Sequence, residues 1–444
     1  AVCLLSGFLA SCGRFAVDGY MSRDNDTAGY NEMNEDPETT YGLNDPVEIS
    51  YPEHKPTDTP EPEHQQGQEV TPDTEGINTP EPSVTAMPSE TPEPEVTPDP
   101  APTSAPAPKP SSTHDPKTAV TPAPTAPPET LKGAVNPYVP YTYDQMREDC
   151  LELEALYPDI ISLDTAGRSV EGRDLTLIKL GKGDKKIILC GSHHAREYIS
   201  STYLMKMTEE YAKAYYGSGS FGNYDVRNIL DQICIYIVPM VNPDGVNLVI
   251  NGIEAVGDKE AVTAMAMLRN TYREWKANIN GVDLNRQYPA EWEKKYDEVG
   301  RPASESFKGE SSATEPEVKA MMELSKANVF ILAASFHTKG NVIYWADRAT
   351  VDLIPGVKDL AKRLSKLTKY SLMPVSEDPR IYAAGYENWF RLEFLRPAFC
   401  IELTPYNNTD VPHNDKKFDD LVWKNAKYIG LFLAEEGINN SWGL

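Results

Sequence analysis

Two adjacent histidines, His193 and His194, stand four and three residues before a glutamate in the stretch GSHHAREY, Gly191–Tyr198. It follows the apolar run KKIILC. His194 and Glu197 form H-x-x-E just after a strand, a spacing that lets both side chains turn back to one point. A catalytic zinc takes three protein ligands and keeps a fourth position for water. Beyond residue 134 the histidines are His193, His194, His337 and His413, so the search for a third ligand is short. His337 ends another apolar run in SFHTKG. With His194 and Glu197 it makes a nitrogen and oxygen set suited to zinc. His193 has no acidic residue three positions on. By itself H-x-x-E reads more often as a hydrogen-bonded surface pair than as a metal site.

These residues need elements to position them. From Val135 onward the pattern alternates helix and strand. LTLIKL, KKIILC, ICIYIVPMV, NVFILAASFH and AFCIEL read as strands. Helical periodicity covers Tyr143–Tyr157, Ser200–Tyr215, Glu260–Lys276, Glu315–Ala327, Ile354–Thr368 and Lys416–Glu435. The strands are short and almost unbroken apolar runs, as in sheets buried on both faces. The alternation predicts an α/β fold with a mostly parallel or mixed central sheet flanked by helices on both faces. Ligands of such folds bind beyond the carboxyl ends of strands. GSHHAREY, VNPDG, HTKG and ELTP all fall at such ends.

Taken together, the motifs resemble the zinc carboxypeptidase family. HAREY is similar to its first ligand motif, and NPDG, Asn242–Gly245, to another of its marks. GVDLNRQYP, Gly281–Pro289, resembles its substrate-binding loop, and SFHTKG its third-ligand motif. IYAAGYENW, Ile381–Trp389, resembles the loop with the mobile tyrosine, and PAFCIELTP the strand of the catalytic glutamate. The resemblance runs from about Pro137 to the end, with all six motifs in family order.

It implies that His194, Glu197 and His337 hold one Zn2+ and that Glu402 is the general base. Glu402 would take a proton from the attacking water and deliver it to the leaving amine. Asn285 and Arg286 would bind a substrate carboxylate, Arg286 by paired hydrogen bonds. Arg196 would add positive charge nearby. The family's oxyanion-steadying arginine follows a tryptophan. Here the stretch is WKAN, so the position is Lys276, which keeps the charge but loses the planar fork of donors. Tyr382 fits the mobile tyrosine, with Tyr386 as its rival. Glu387 falls where the family lines its specificity pocket, and its carboxylate could meet the free amino group of a diamino acid. Each residue also has a structural alternative: a strand-end carboxylate for Glu402, an ion pair for Arg286, a solvated lysine for Lys276, core packing for Tyr382 and a solvent-facing Glu387.

Composition divides the 444 residues into three parts. The formal charge of −25 and the 37 prolines are unevenly spread, and more than half of the prolines lie between Pro52 and Pro128. Residues 13–134 are acidic, rich in Pro, Thr and Glu, and poor in large apolar residues. Such a segment cannot offset its ordering entropy and is expected to be a disordered linker. Fully extended as polyproline, about eighty residues at roughly 3.1 Å each would reach up to roughly 250 Å. Residues 1–12 read as the tail of an apolar secretion signal. Leu9-Ala10-Ser11-Cys12 resembles the lipobox of bacterial lipoproteins, which would make Cys12 a lipid anchor to the membrane. The third part, 135–444, is the expected catalytic domain. Its charge balance gives no reason to expect nucleic acid as a partner, and we expect a monomer. Cys150, Cys190, Cys234 and Cys400 form no CxxC pair and read as small hydrophobes, three of them in strand-like runs.

Within the family, WKANINGVDLNRQYPAEW and SFHTKGNVIYW look like the bacterial γ-D-glutamyl-diamino acid peptidases, which cut cell-wall stem peptides before meso-diaminopimelate. The expectation is a membrane-anchored extracellular zinc metallopeptidase reaching into the wall. The alternatives are a general extracellular carboxypeptidase and a non-catalytic wall-binding lipoprotein.

Overall fold

The structure is a computed structural model that describes residues 133–444 apart from 267–270, 441, 443 and 444. The expected signal segment with Cys12 and the expected linker up to residue 132 lie outside the described residues.

Ten strands are described. They are β1 (Ile161–Arg168), β2 (Asp174–Leu180), β3 (Lys185–Gly191), β4 (Ser220–Phe221), β5 (Tyr224–Asp225), β6 (Ile233–Val238), β7 (Phe330–His337), β8 (Val342–Tyr344), β9 (Ser371–Leu372) and β10 (Ala398–Glu402). β4 and β5 form a small hairpin, and the others form one sheet in the order β1-β2-β6-β3-β7-β10-β8-β9. The central four, β6-β3-β7-β10, are mutually parallel. The antiparallel pairs β1-β2, β2-β6 and β10-β8 make the sheet mixed.

The near-continuous apolar runs have a physical cause. Successive side chains of a strand point to opposite faces, and here both faces are covered. On β3, Ile187 and Leu189 enter one core with Tyr203, Leu204 and Leu431, while Ile188 and Cys190 enter the other with Met321, Trp389 and Phe390. The first core is closed by the helices Ile199–Tyr216 and Ile429–Asn439, the second by Pro316–Lys326 and Tyr386–Phe394. All of β6 and β7 is buried as a result.

Parallel strands end on one edge, and this collects the motifs. β3 runs into Ser192-His193-His194, β6 towards Asn242, β7 stops at His337 and β10 at Glu402. Register fixes their neighbours: Glu402 lies beside His337, and Gly191 beside Phe336.

Two helices depart from the periodicity. The expected helix Glu260–Lys276 is described only as Lys259–Met265. Further on, the N–H groups of both Lys276 and Ala277 donate to Ser304 O at 2.9 Å, a loop-to-loop pairing that a helix would not allow. The expected helix Lys416–Glu435 is broken into short turns around a wide π turn at Asp419–Trp423, and regular helix resumes at Ile429. Two further helices come out of the motifs themselves. Asn242 caps Pro243–Asn251, its side chain accepting from Gly245 N, with Pro243 at the first position. IYAAGYENW carries the start of Tyr386–Phe394.

Candidate metal centre

The ligand loop is held by its backbone. Ser192 takes a left-handed φ of 51° as the chain leaves β3, and its N–H donates to Ser200 Oγ at 2.8 Å. Ala195 N donates to Lys276 O at 3.0 Å, which fastens this loop to WKAN. Asn242 Nδ2 braces both, donating to His193 O at 3.2 Å and to Ala277 O at 2.9 Å. A Cβ on Gly245 would lie 2.7–2.8 Å from Asn242 Oδ1, Ala195 Cβ and Ala277 O, so only glycine fits under this brace. NPDG is thus the keystone of the site rather than part of its chemistry.

Ala195–Glu197 forms a single 3-10 turn, in which side chains three apart eclipse. That brings His194 Nδ1 to 3.0 Å from Glu197 Oε1. His337 arrives from β7, its Nδ1 3.0 Å from Glu197 Oε2 and 3.1 Å from His194 Nδ1. The three side chains are buried, with 6%, 3% and 1% of His194, Glu197 and His337 exposed. Among the described residues they form one of two groups able to hold an ion; the other is His337, Glu387 and Cys400.

The donor set fits zinc. Two imidazole Nδ1 atoms and a carboxylate converge on one point, with 3.0–3.1 Å between neighbouring atoms. A tetrahedral ion with bonds of about 2.05 Å would separate its ligand atoms by about 3.3 Å, close to the spacing present. The electrostatics agree. Burial works against a charged His337, yet the Glu197 and Glu387 carboxylates outweigh it and hold its pKa up at about 10. Burial would raise Glu197, but His194 and His337 bring it well below the usual carboxylate range. Carboxylates on both sides of His337 make this a place that favours positive charge.

The far nitrogens also meet carboxylates. His194 Nε2 is 3.0 Å from Asp283 Oδ1. Asp283 is a hub with no exposed surface: its Oδ2 lies 2.5 Å from Arg286 Nη1 and 3.6 Å from Lys276 Nζ. Burial opposes its charge, but Arg286, then Lys276 and His194, hold its pKa well below normal. His337 Nε2 is 3.6 Å from Glu387 Oε1, an ion-pair distance rather than a hydrogen bond.

The structure brings several sequence-expected residues to this centre. Glu402 stands beside His337 in the sheet. Lys276 is buried next to Asp283 rather than solvated. Arg286 is anchored by Asp283 through Nη1, and Nη2 lies 3.5 Å from Glu298, itself about a third exposed. Asn285 Oδ1 accepts from Tyr386 N at 2.9 Å. Others are held by further partners. Arg196 donates to Glu305 Oε2 at 3.1 Å and to Glu274 O at 2.9 Å. Tyr382 ends the short helical turn Pro379–Tyr382, and its hydroxyl donates to Glu291 Oε2 at 2.6 Å. Tyr386 is wholly buried with its hydroxyl 3.1 Å from Ser325 Oγ, which removes it as the mobile tyrosine. Glu387 is buried with Oε1 3.6 Å from His337 Nε2, and it accepts from Ser335 Oγ. His193 is not in the ligand trio: its ring stacks on His337 with centroids 5.8 Å apart, its Nε2 lies 3.0 Å from Tyr288 OH, and burial takes its pKa down to about 3. His413 packs on Tyr198 with ring centroids 4.3 Å apart.

Asp283 was legible in GVDLNRQYP but draws attention only once His194 is seen to need a partner. Ser335 and Cys400 had no signal beyond their strands; Cys400 proves half-buried rather than a core residue.

Comparisons with known proteins agree with this geometry. A model of the zinc carboxypeptidase family matches residues 146–428. The gamma-D-glutamyl-L-diamino acid endopeptidase 1 of Lysinibacillus sphaericus is 33% identical over 302 residues, covering 68% of this chain and 73% of that protein. Carboxypeptidase B of Astacus astacus is 28% identical over 290 residues, covering 60% and 87%. Among solved structures, bovine thrombin-activatable fibrinolysis inhibitor superposes with a TM-score of 0.52 at 18% identity, covering 68% of this chain and 98% of that one. Carboxypeptidase A of Helicoverpa armigera gives 0.51 at 17% identity, covering 68% and 74%. These two likenesses speak to the fold.

Proposed function

The chain belongs to the zinc carboxypeptidase family and is a zinc-dependent peptidase, and from that premise we propose that it hydrolyses the γ-D-glutamyl-diamino acid bond of cell-wall stem peptides. The observation that carries the hydrolytic reading is the convergence of His194, Glu197 and His337 beside Glu402. Zinc in such a site supplies Lewis-acid polarisation and makes water a nucleophile near neutral pH. The residues of the chain do the rest. Glu402 takes the proton from the attacking water and returns it to the leaving nitrogen, a role worth about 10²–10⁴-fold in rate. Lys276, held by Asp283, presents positive charge towards the developing oxyanion. Arg286 is pre-oriented by Asp283, and a substrate carboxylate would replace the long 3.5 Å contact to Glu298.

The substrate class is supported by the spelling of WKANINGVDLNRQYPAEW and SFHTKGNVIYW and by the name of the Lysinibacillus sphaericus relative. Lipidation of Cys12 and an extended acidic, Pro-rich tether would place the domain outside the membrane and within reach of the wall. No described helix is long and apolar enough to cross a membrane. A general extracellular carboxypeptidase is the second reading, favoured by the match to most of the length of Carboxypeptidase B of Astacus astacus. Product analysis separates them. Purified stem peptides and ordinary linear peptides are offered to wild type and Glu402→Gln, and fragments are read by mass spectrometry. Cleavage between γ-D-glutamate and the diamino acid, absent in the variant, is expected. Trimming of ordinary C-termini with stem peptides intact refutes the wall reading. Fatty-acid analogue labelling that persists in Cys12→Ala refutes the anchor.

A further inference from the structure

We propose that Glu387 is a positioning residue for the metal ligand His337, fixing the ring so that Nδ1 faces the ion. The proposal rests on the zinc-peptidase reading of the site.

A histidine that binds through Nδ1 carries its proton on Nε2, and ligand histidines commonly give that proton to a carboxylate or carbonyl, which sets tautomer and ring orientation. His194 meets this requirement through Asp283, 3.0 Å from Nε2. The counterpart for His337 is Glu387, whose Oε1 lies 3.6 Å from Nε2. A shift of about half an ångström in either group would close a hydrogen bond of normal length.

The fold holds Glu387 there. Ser335 and His337 are two apart on β7 and so project to the same face. Ser335 Oγ donates to Glu387 Oε1. The carboxylate sits in the first turn of the nine-residue helix Tyr386–Phe394, where peptide dipoles favour negative charge. The helix itself is locked by Trp389 and Phe390 in the second core. A carboxylate buried this deeply is costly without partners, and those present are Ser335, the helix terminus and His337.

The same corner admits another reading, since His337, Glu387 and Cys400 also lie close enough to share an ion. That would require Nε2 as a ligand atom while Nδ1 already serves the first site, leaving the imidazole without a proton. As a donor, Nε2–H needs only the acceptor that Glu387 provides.

The test uses the full chain, with zinc affinity read by chelator competition for wild type, Glu387→Gln and Ser335→Ala. Wild type is measured first: failure to bind one zinc would sink the underlying peptidase reading, whereas the proposal concerns only how the variants differ from it. Glu387→Gln is expected to weaken zinc by about 10–100-fold and to change the visible spectrum of the cobalt-substituted protein. Ser335→Ala, which removes only a partner of Glu387, should shift both in the same direction by less, and covers the case in which Glu387→Gln does not fold. Wild-type affinity and cobalt spectrum in Glu387→Gln overturn the proposal. So does a raised KM for substrates bearing a free amine with metal binding intact, which would return Glu387 to specificity. A second zinc equivalent lost in Cys400→Ser also overturns it.

Discussion

Replacing Asp283 by asparagine keeps the shape of the side chain and removes its charge, and the consequences follow from four atoms. Oδ1 serves His194 Nε2 at 3.0 Å, while Oδ2 serves Arg286 at 2.5 Å and Lys276 at 3.6 Å. An amide has one oxygen. If it stays on His194, the new NH2 group faces two cations and sets donors against donors. If it flips, the His194 ring loses its acceptor. The side chains of Arg286 and Lys276 are 9% and 4% exposed, so water cannot replace the lost counter-charge. Breaking such a buried pair costs about 3–5 kcal/mol, and loss of the partner of a ligand histidine costs about 10–100-fold in metal affinity. Urea unfolding in the presence of a chelator reads the first, and competition with a zinc chelator the second. Asp283→Asn with stability within about 1 kcal/mol of wild type and zinc affinity within about threefold would refute Asp283 as the hub.

Glu402→Gln should lower kcat by about 10²–10⁴-fold with zinc content unchanged by elemental analysis; activity within tenfold of wild type would remove Glu402 as the base. Gly245→Ala should destabilise the fold by about 1–3 kcal/mol and weaken zinc binding, because its Cβ meets the Asn242 brace and Ala277 O; wild-type stability in urea would show the brace to be loose. Glu317, buried beneath β1, accepts from Val170 N at 3.2 Å and Asn278 Nδ2 at 3.3 Å, and burial pushes its pKa from 4.5 up to about 8. The folded state therefore holds a proton that the unfolded chain gives up first. Its stabilising contribution is fully present below pH 4.5 and is lost as pH rises to about 8, by at most about 5 kcal/mol. Glu317→Gln should flatten this decline in urea midpoints, and an unchanged slope would contradict it.

The sequence carried the parts of the account that depend on local pattern. Both faces of the central sheet are buried, so β3, β6, β7 and β10 announce themselves as apolar runs, and motifs at their ends could be expected to meet. The ligand trio was legible because six motifs in order resemble one family, where H-x-x-E alone would have read as a surface pair. Roles that depend on long-range packing were not legible. Glu387 has the same neighbours in the chain whether it lines a pocket or sits behind His337; only the docking of its helix on β7 decides. The amphipathic run from Lys416 continues smoothly in sequence but is interrupted by the π turn at Asp419–Trp423. Lys276 reads as the end of a helix until its N–H is found on Ser304 O.

The central claim is one divalent ion shared by side chains far apart in sequence, at the ends of the neighbouring strands β3 and β7. Anomalous diffraction at the zinc edge, from crystals of the full chain grown with zinc, tests it directly. A single strong peak bounded by Nδ1 of His194, Nδ1 of His337 and the Glu197 carboxylate is predicted. Diffraction data with no peak there, or with the ion held by other residues, would contradict it.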